Sequence, residues 1–324
     1  MRIVIPDNYP PVYHEDSPDL ALLRTYGTVD LYSTRPGSPA ELITRAAGAT
    51  AIINVRSYCV FDAATLEALP GLRMISILGT GTDNVDLAAA TERGIVVTNT
   101  PAVSAVSVAE ATIGLMLAIS RRIPLLDRHL RAGLWQHEVG PELRGKTLGI
   151  IGLGAIGSEV AGLGRGLGMQ VIGWSFHRDE ERAARLGVSL VEFDELLRTA
   201  DVISLHLRAS PRAVGIIGRR ELALMKPTAY LINTARGALV DEAALIEALR
   251  ERRIAGAALD VFAAEPLPAD SPLLSLDNVV ITPHAAAVTH EAQARLARLP
   301  VENIIAFLEG HPQNVVNPEV LAKR

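Results

Sequence analysis

An α/β architecture of two doubly wound, parallel-sheet domains follows from how apolar runs are spaced along this 324-residue chain. Short β-type runs alternate with helical stretches before Pro101 and again after Lys146, and such alternation builds a parallel sheet with helices on its faces. At about 150 residues per domain, the length suits two such units. Apolar residues make up 49% and charged residues 21% of the chain, which excludes a disordered polypeptide.

The first unit opens with Arg2 to Ile5, a β-type run stopped by Pro6. Ala51 to Val55, Arg73 to Leu78 and Ile95 to Thr98 are runs of the same kind, with Ala63 to Leu69 and Asp86 to Glu92 reading as helices between them. From Ser104 to Arg122 the pattern is one long apolar helix, with serines as start signals and Arg121-Arg122 at the end the helix dipole favours. This helix is expected to connect the domains, and a looser segment with Trp135 and His137 runs on to Pro141. Lys146 to Ile151 opens the second unit as a buried strand. Gln170 to Gly173, Val202 to Leu207, Ala229 to Asn233, Ala257 to Val261 and Val279 to Thr282 follow. Glu242 to Arg250 and the tail from Thr289 to Glu309 have helical periodicity.

Lys and Arg number 31 against 36 Asp and Glu, a net charge of −5 that speaks against a nucleic-acid partner. Cys59 is the single cysteine, so no intrachain disulfide forms and a reducing compartment is expected. Met1 to Pro6 lacks the apolar core of a signal peptide. The most apolar stretch, Val106 to Ile119, carries Glu110 and is too short to span a bilayer. A cytoplasmic protein with no membrane partner is the expectation.

Gly152-Leu153-Gly154-Ala155-Ile156-Gly157 is a G-x-G-x-x-G turn that directly follows a strand and opens a helix. The first glycine allows the tight turn, the second lets a pyrophosphate approach the backbone, and the third lets helix pack on strand. The N–H groups and dipole of the helix then hold the anion. That context marks a dinucleotide site. A carboxylate for the ribose is expected about 20 residues on, at the tip of Val171-Ile172-Gly173-Trp174. The loop there reads Ser175-Phe176-His177-Arg178 instead. A carboxylate would repel a 2′-phosphate, whereas a hydroxyl, an imidazole and a guanidinium accept one. Ser175, His177 and Arg178 therefore favour NADP, with NAD as the other candidate. The alternative for Arg178 is a solvated pair with Glu180 or Glu181.

Three more strand tips carry chemistry. Leu231 to Gly237 ends in a turn with Thr234, Ala235 and Arg236; Ala258 to Pro266 carries Asp260 and Glu265; Ile281 to His284 carries the histidine. Ligands bind beyond the carboxyl ends of strands in open parallel sheets, so Arg236, Glu265 and His284 form the candidate catalytic set, with no metal. The set suits reversible hydride transfer at a 2-oxo or 2-hydroxy acid. A guanidinium holds a carboxylate and the neighbouring oxygen with a planar fork. An imidazole gives the carbonyl oxygen a proton or takes one from the hydroxyl, and a glutamate on its other ring nitrogen orients it. Taken singly, a histidine at a strand end or a glutamate before a proline is more often structural. Their joint placement argues for a site.

These segments, with Gly79-Thr80-Gly81-Thr82-Asp83-Asn84-Val85-Asp86, Asn99-Thr100-Pro101, Val108-Ala109-Glu110 and Ala200 to His206, resemble the D-isomer-specific 2-hydroxyacid dehydrogenases from about Val55 to Asn317. The resemblance implies two Rossmann-like domains with a cleft between them. Residues 1–100 with 289–324 would form the substrate domain, and residues 101–288 the NAD(P)-binding domain. By the same likeness Arg236 binds substrate, His284 is the acid/base and Glu265 its partner, while Arg56 and the backbone at Gly79, Thr80 and Gly81 line the substrate side. Val108, Ala155, Ile156, His206, Leu207, Thr234, Ala235, Asp260 and Ala286 would touch the cofactor. It further implies a homodimer paired through the cofactor domains, and a reductase of a small 2-oxo acid such as glyoxylate or hydroxypyruvate. Two other readings stay open: a dehydrogenase of another D-2-hydroxy acid, phosphoglycerate included, and a dinucleotide-sensing, corepressor-like binding protein. Three positions depart from the pattern. Ser175 replaces the common aspartate, as in members that use NADP, Ala286 stands where glycine is usual, and Arg208 where proline is common.

Overall fold

The computed structural model describes residues 1–55 and 58–323. Its chain divides into two compact units, Met1–Ser104 with Thr289–Arg324, and Ala105–Val288. The first unit begins with β1 (Arg2–Ile5), α1 (Pro18–Arg24), β2 (Thr28–Leu31), α2 (Pro39–Ala46) and β3 (Ala51–Asn54). It continues through α3 (Ala63–Glu67), β4 (Met74–Ile77), α4 (Leu87–Glu92) and β5 (Val96–Thr98). The strands pair in parallel in the order β2-β1-β3-β4-β5. β3 and β4 are buried along their whole length, as strands covered on both faces must be. Asp62 and Asp86 start α3 and α4 by accepting the N–H groups of Thr65 and Ala89. The edge strand β2 was not expected from sequence. Thr28-Val29-Asp30-Leu31 is only half-buried and lacks the continuous apolar run of a central strand.

The second unit starts with α5 (Ala105–Ser120), α6 (Ile123–Arg131), β6 (Thr147–Ile151), α7 (Ala155–Gly166) and β7 (Gln170–Trp174). Next come α8 (Glu180–Leu186), β8 (Ser189–Leu190), α9 (Phe193–Thr199), β9 (Val202–Leu205) and α10 (Arg219–Leu224). β10 (Tyr230–Asn233), α11 (Glu242–Arg250), β11 (Gly256–Leu259) and β12 (Val279–Ile281) complete it. All seven strands are parallel, in the order β12-β11-β10-β9-β6-β7-β8. Side chains alternate between two cores: Ile151, Leu231 and Ala257 enter one face, Ile150, Ile232 and Ala258 the other. The order reverses between β6 and β9, the switch point where such sheets bind ligands.

The long apolar helix differs from expectation in two ways. α5 lies wholly within the second unit, packed on α7 and β10 with Met116 and Ile119 in the core, so it is part of that core rather than a spacer. Behind it, Arg122 at φ +51° breaks the helix, and α6 follows where a loose segment was expected. Pro124 does not oppose α6, because a proline in the first turn removes an N–H that has no intrahelical acceptor anyway. The two-residue edge strand β8 was likewise not foreseen.

α12 (His290–Leu308) returns to the first unit, its start capped by Thr289, and packs on α1 and β4. The tail beyond is stitched down by Asn317, whose amide accepts from Val97 N–H at 2.9 Å and donates to Ile95 O at 2.9 Å. Among the described residues no helix is long and apolar enough to cross a membrane.

Candidate active site

The three glycines after β6 each answer a different spatial demand. Gly152 has φ +104°, and a Cβ there would lie 2.8 Å from the carbonyl carbon and oxygen of His206 beyond β9. At Gly157 a Cβ would lie 2.0 Å from Gly152 O, so α7 can meet the turn only without a side chain. Over Gly154 the space is open, with no atom within 4 Å of a Cβ. Gly154 is also the N-cap of α7 and supplies no side-chain acceptor. The first N–H groups of α7, from Ala155 and Ile156, are thus left for an anion, and the residues fit a dinucleotide pyrophosphate.

Around this turn, Ser175 Oγ accepts from Leu153 N–H at 2.9 Å, which leaves the serine's own proton to donate. His177 is exposed. Arg178 meets Glu180, the surface pairing that competed with a phosphate role in the sequence reading. His206 Nε2 lies 2.8 Å from Ser204 Oγ, and burial pushes its pKa down to about 3, so the ring is neutral at physiological pH. Its Nδ1 is buried with no hydrogen-bond partner. Leu207 packs on the core beside it. Thr234 Oγ1 is 2.8 Å from Thr112 Oγ1, which bonds to Val108 O at 2.7 Å. Thr112 has one proton and uses it on that carbonyl, so Thr234 is the donor of the pair.

The catalytic candidates of this unit converge. His284 Nδ1 lies 2.7 Å from Glu265 Oε2, and Glu265 Oε1 accepts from Phe262 N–H at 3.0 Å. Both carboxylate oxygens are therefore held. The loop before Glu265 is pinned again where Ala263 N–H donates to Glu242 Oε2 at 3.0 Å. His284 has φ +51°, left-handed for a residue with a side chain, and Asp260 stabilises that conformation. Asp260 O accepts His284 N–H at 2.8 Å. Its carboxylate, expected at the cofactor, takes Thr282 Oγ1 at 2.5 Å and the N–H groups of Ala285 and Ala286 at 2.8 and 2.9 Å. The Arg236 turn is shaped by Asn233, whose side chain donates to Arg236 O at 2.9 Å and accepts from Ala235 N–H at 3.0 Å. Arg236 Nη1 donates to Ala235 O at 2.7 Å. Next to it, a Cβ on Gly237 would lie 1.9 Å from Phe262 O, so glycine there lets the Arg236 turn pack on the Glu265 loop.

Thr112, Asn233 and Glu242 were not singled out from sequence. Asn233 had a signal, since Asx residues shape turns two residues on; the other two act across the fold. In the first unit, Gly79 has φ +143° and donates its N–H to Thr100 Oγ1 at 2.8 Å, while Thr80 O accepts from the Asn99 amide at 2.8 Å. Gly81 follows, half-buried. Arg56 lies outside the described residues. No cluster of metal-ligating side chains occurs among the described residues.

A family profile described as D-isomer specific 2-hydroxyacid dehydrogenase, NAD binding domain, matches residues 113–286, more than half of the chain. The chain is 41% identical to a glyoxylate reductase of Korarchaeum cryptofilum over 313 residues, 94% of each protein. It is 45% identical to a D-3-phosphoglycerate dehydrogenase of Archaeoglobus fulgidus over 86% of this chain, and spans about half of that relative, 54% of its length. Among solved structures, an acyclic imino acid reductase in complex with NADPH and D-Arg superposes with a TM-score of 0.89 at 32% identity, covering 98% of this chain and 100% of the other. Identity of this order along nearly the whole length, on a shared fold, means that the chain belongs to the D-isomer specific 2-hydroxyacid dehydrogenase family.

Proposed function

We propose that this protein reduces a small 2-oxo acid of the glyoxylate or hydroxypyruvate type to the D-2-hydroxy acid. The observation that carries this reading is the Glu265–His284 pair beyond β11 and β12, on the sheet whose β6 tip bears the three-glycine turn. The nicotinamide supplies the hydride for the carbonyl carbon. With Glu265 holding the proton on Nδ1, His284 Nε2 is the nitrogen that passes a proton to the carbonyl oxygen. Arg236 offers its fork to the substrate carboxylate. Arg56 and the backbone of Gly79, Thr80 and Gly81 are assigned to the substrate, with residues 1–100 and 289–324 as substrate domain and 101–288 as cofactor domain. Ser175 at the β7 tip, where a carboxylate would repel a 2′-phosphate, supports NADP, with NAD second.

Near-complete coverage of a glyoxylate reductase supports the small substrate, while 45% identity to a phosphoglycerate dehydrogenase favours a phosphorylated one as second reading. A panel of glyoxylate, hydroxypyruvate, phosphohydroxypyruvate and larger 2-oxo acids, run with NADPH and NADH, separates them. Fastest turnover is expected on the first two. A chain that binds dinucleotide yet leaves the whole panel unreduced is a sensor, not a reductase. His284→Ala should lower turnover by about 10²–10⁴ if the imidazole transfers the proton.

A homodimer through the cofactor unit is part of the proposal. No residue of α6 is buried, and beyond it Trp135 and Val139 are 80% and 97% exposed, more apolar surface than scattered single residues account for. A second copy covering this surface gives a dimer by sedimentation that Trp135→Glu converts to monomer. A monomeric wild type removes this part of the reading. The single thiol, Cys59, is buried, which is compatible with a reducing cytoplasm.

A further inference from the structure

At the tip of β7, every nitrogen of the Arg178 guanidinium already has an acceptor. Nε lies 2.5 Å from Glu180 Oε1, Nη1 is 3.4 Å from Glu192 Oε1, and Nη2 is 3.4 Å from Leu190 O. Ser175, Arg178 and Glu192 line one groove of about 200 Å³, with Gly173 and Trp174 beside them. We propose that Glu180 and Glu192 are specificity-determining residues: they compete with the 2′-phosphate of NADP for Arg178, and so set the balance between NADP and NAD. This rests on the dinucleotide reading above and adds which side chains weigh one cofactor against the other.

The argument is one of fork geometry and charge. Arginine grips phosphate through two parallel N–H bonds from adjacent nitrogens. Here no adjacent pair of nitrogens is available until at least one glutamate lets go. The displaced carboxylates stay tethered close by, well inside the roughly 8 Å over which charges act in physiological salt, and repel the incoming phosphate. Arg182 offers no substitute, because it pairs with Asp179 at 3.5 Å and donates to Leu153 O at 3.1 Å. A free 2′-hydroxyl makes no demand on Arg178 and can take the proton left on Ser175 Oγ. The glutamates therefore penalise NADP and leave NAD nearly untouched. Exposed ion pairs are weak, so each carboxylate is worth a factor of about 1.5 to 5 in phosphate affinity.

The test is calorimetric titration of the full chain with 2′,5′-ADP and with 5′-AMP, the adenosine ends of the two cofactors. The Glu180→Gln, Glu192→Gln double variant should bind 2′,5′-ADP about three- to twentyfold more tightly than wild type. Each single variant should show part of that gain, and 5′-AMP affinity should move by less than twofold. Adding Arg178→Ala to the double variant should abolish the gain. A double variant that binds 5′-AMP normally but gains nothing for 2′,5′-ADP overturns the inference, as does an equal gain for both nucleotides. A wild type that binds neither nucleotide overturns the dinucleotide reading instead.

Discussion

Replacing Asp260 by alanine deletes the carboxylate that holds the histidine loop, and its effect can be sized from the contacts it removes. Asp260 is 1% exposed, and its two oxygens accept one hydroxyl and two backbone N–H groups from Thr282, Ala285 and Ala286. Hydrogen bonds to a charged group contribute about 1.5–3 kcal/mol each, but Thr282 and Ala285 are only half-buried and water can replace part of what they lose. Breaking a buried charged network of this kind costs about 3–5 kcal/mol, which is the expected loss of stability. His284 sits between these anchors at φ +51°, a conformation that costs about 1–3 kcal/mol and persists only while the surroundings enforce it. Without the clamp the backbone relaxes and the imidazole moves. A shift of about 1 Å costs on the order of 10² in rate. Single-turnover reduction of glyoxylate at saturating cofactor should therefore slow by about 10²-fold, alongside a lower melting temperature. Asp260→Asn keeps one acceptor oxygen and should fall between. A folded Asp260→Ala protein with turnover within about threefold of wild type would refute the reasoning, because the His284 geometry would then not depend on the clamp.

The glycine turn separates cofactor binding from folding. Gly154→Ala meets no atom within 4 Å and should melt like wild type while weakening nucleotide affinity at least tenfold, whereas Gly157→Ala, with a Cβ 2.0 Å from Gly152 O, should lower the melting temperature. Titration and thermal melts on the same two proteins check both halves. On the surface, the hydrogen bond from Arg219, joined by Arg253, holds the Glu247 carboxyl down at about 2 against its ordinary 4.5. The folded-state value lies below the unfolded one, so the stabilisation is complete above about pH 4.5 and is lost as pH falls through 2. Glu247→Gln should flatten the stability profile in that acid window, measured by denaturant melts, and leave it unchanged near neutrality.

The strands that form the middle of both sheets could be read from the chain because they must be apolar on both faces: Ile52-Ile53 and Leu148 to Ile151 have no other use. The edges could not. β2 and β8 are short and half-exposed, so nothing local demands apolar residues there. α6 escaped because its apolar residues are not buried in the chain's own core, and Pro124 reads as a breaker unless its place in the first turn is known.

The site divides along the same line. Glycines at 152, 154 and 157 could be recognised from spacing, since each acts within one turn of chain. Arg236, Glu265 and His284 could be nominated by residue type and by position at strand ends. What they do to one another could not. That Glu265 meets Nδ1 rather than Nε2, that Asp260 reaches 22 to 26 residues on to fix the histidine loop, and that Glu192 joins Glu180 on Arg178 all depend on which strand tips and loops become neighbours. Neighbourhood in a parallel sheet is set by strand order and register. Those emerge from packing the whole core and leave no mark in any short window of residues.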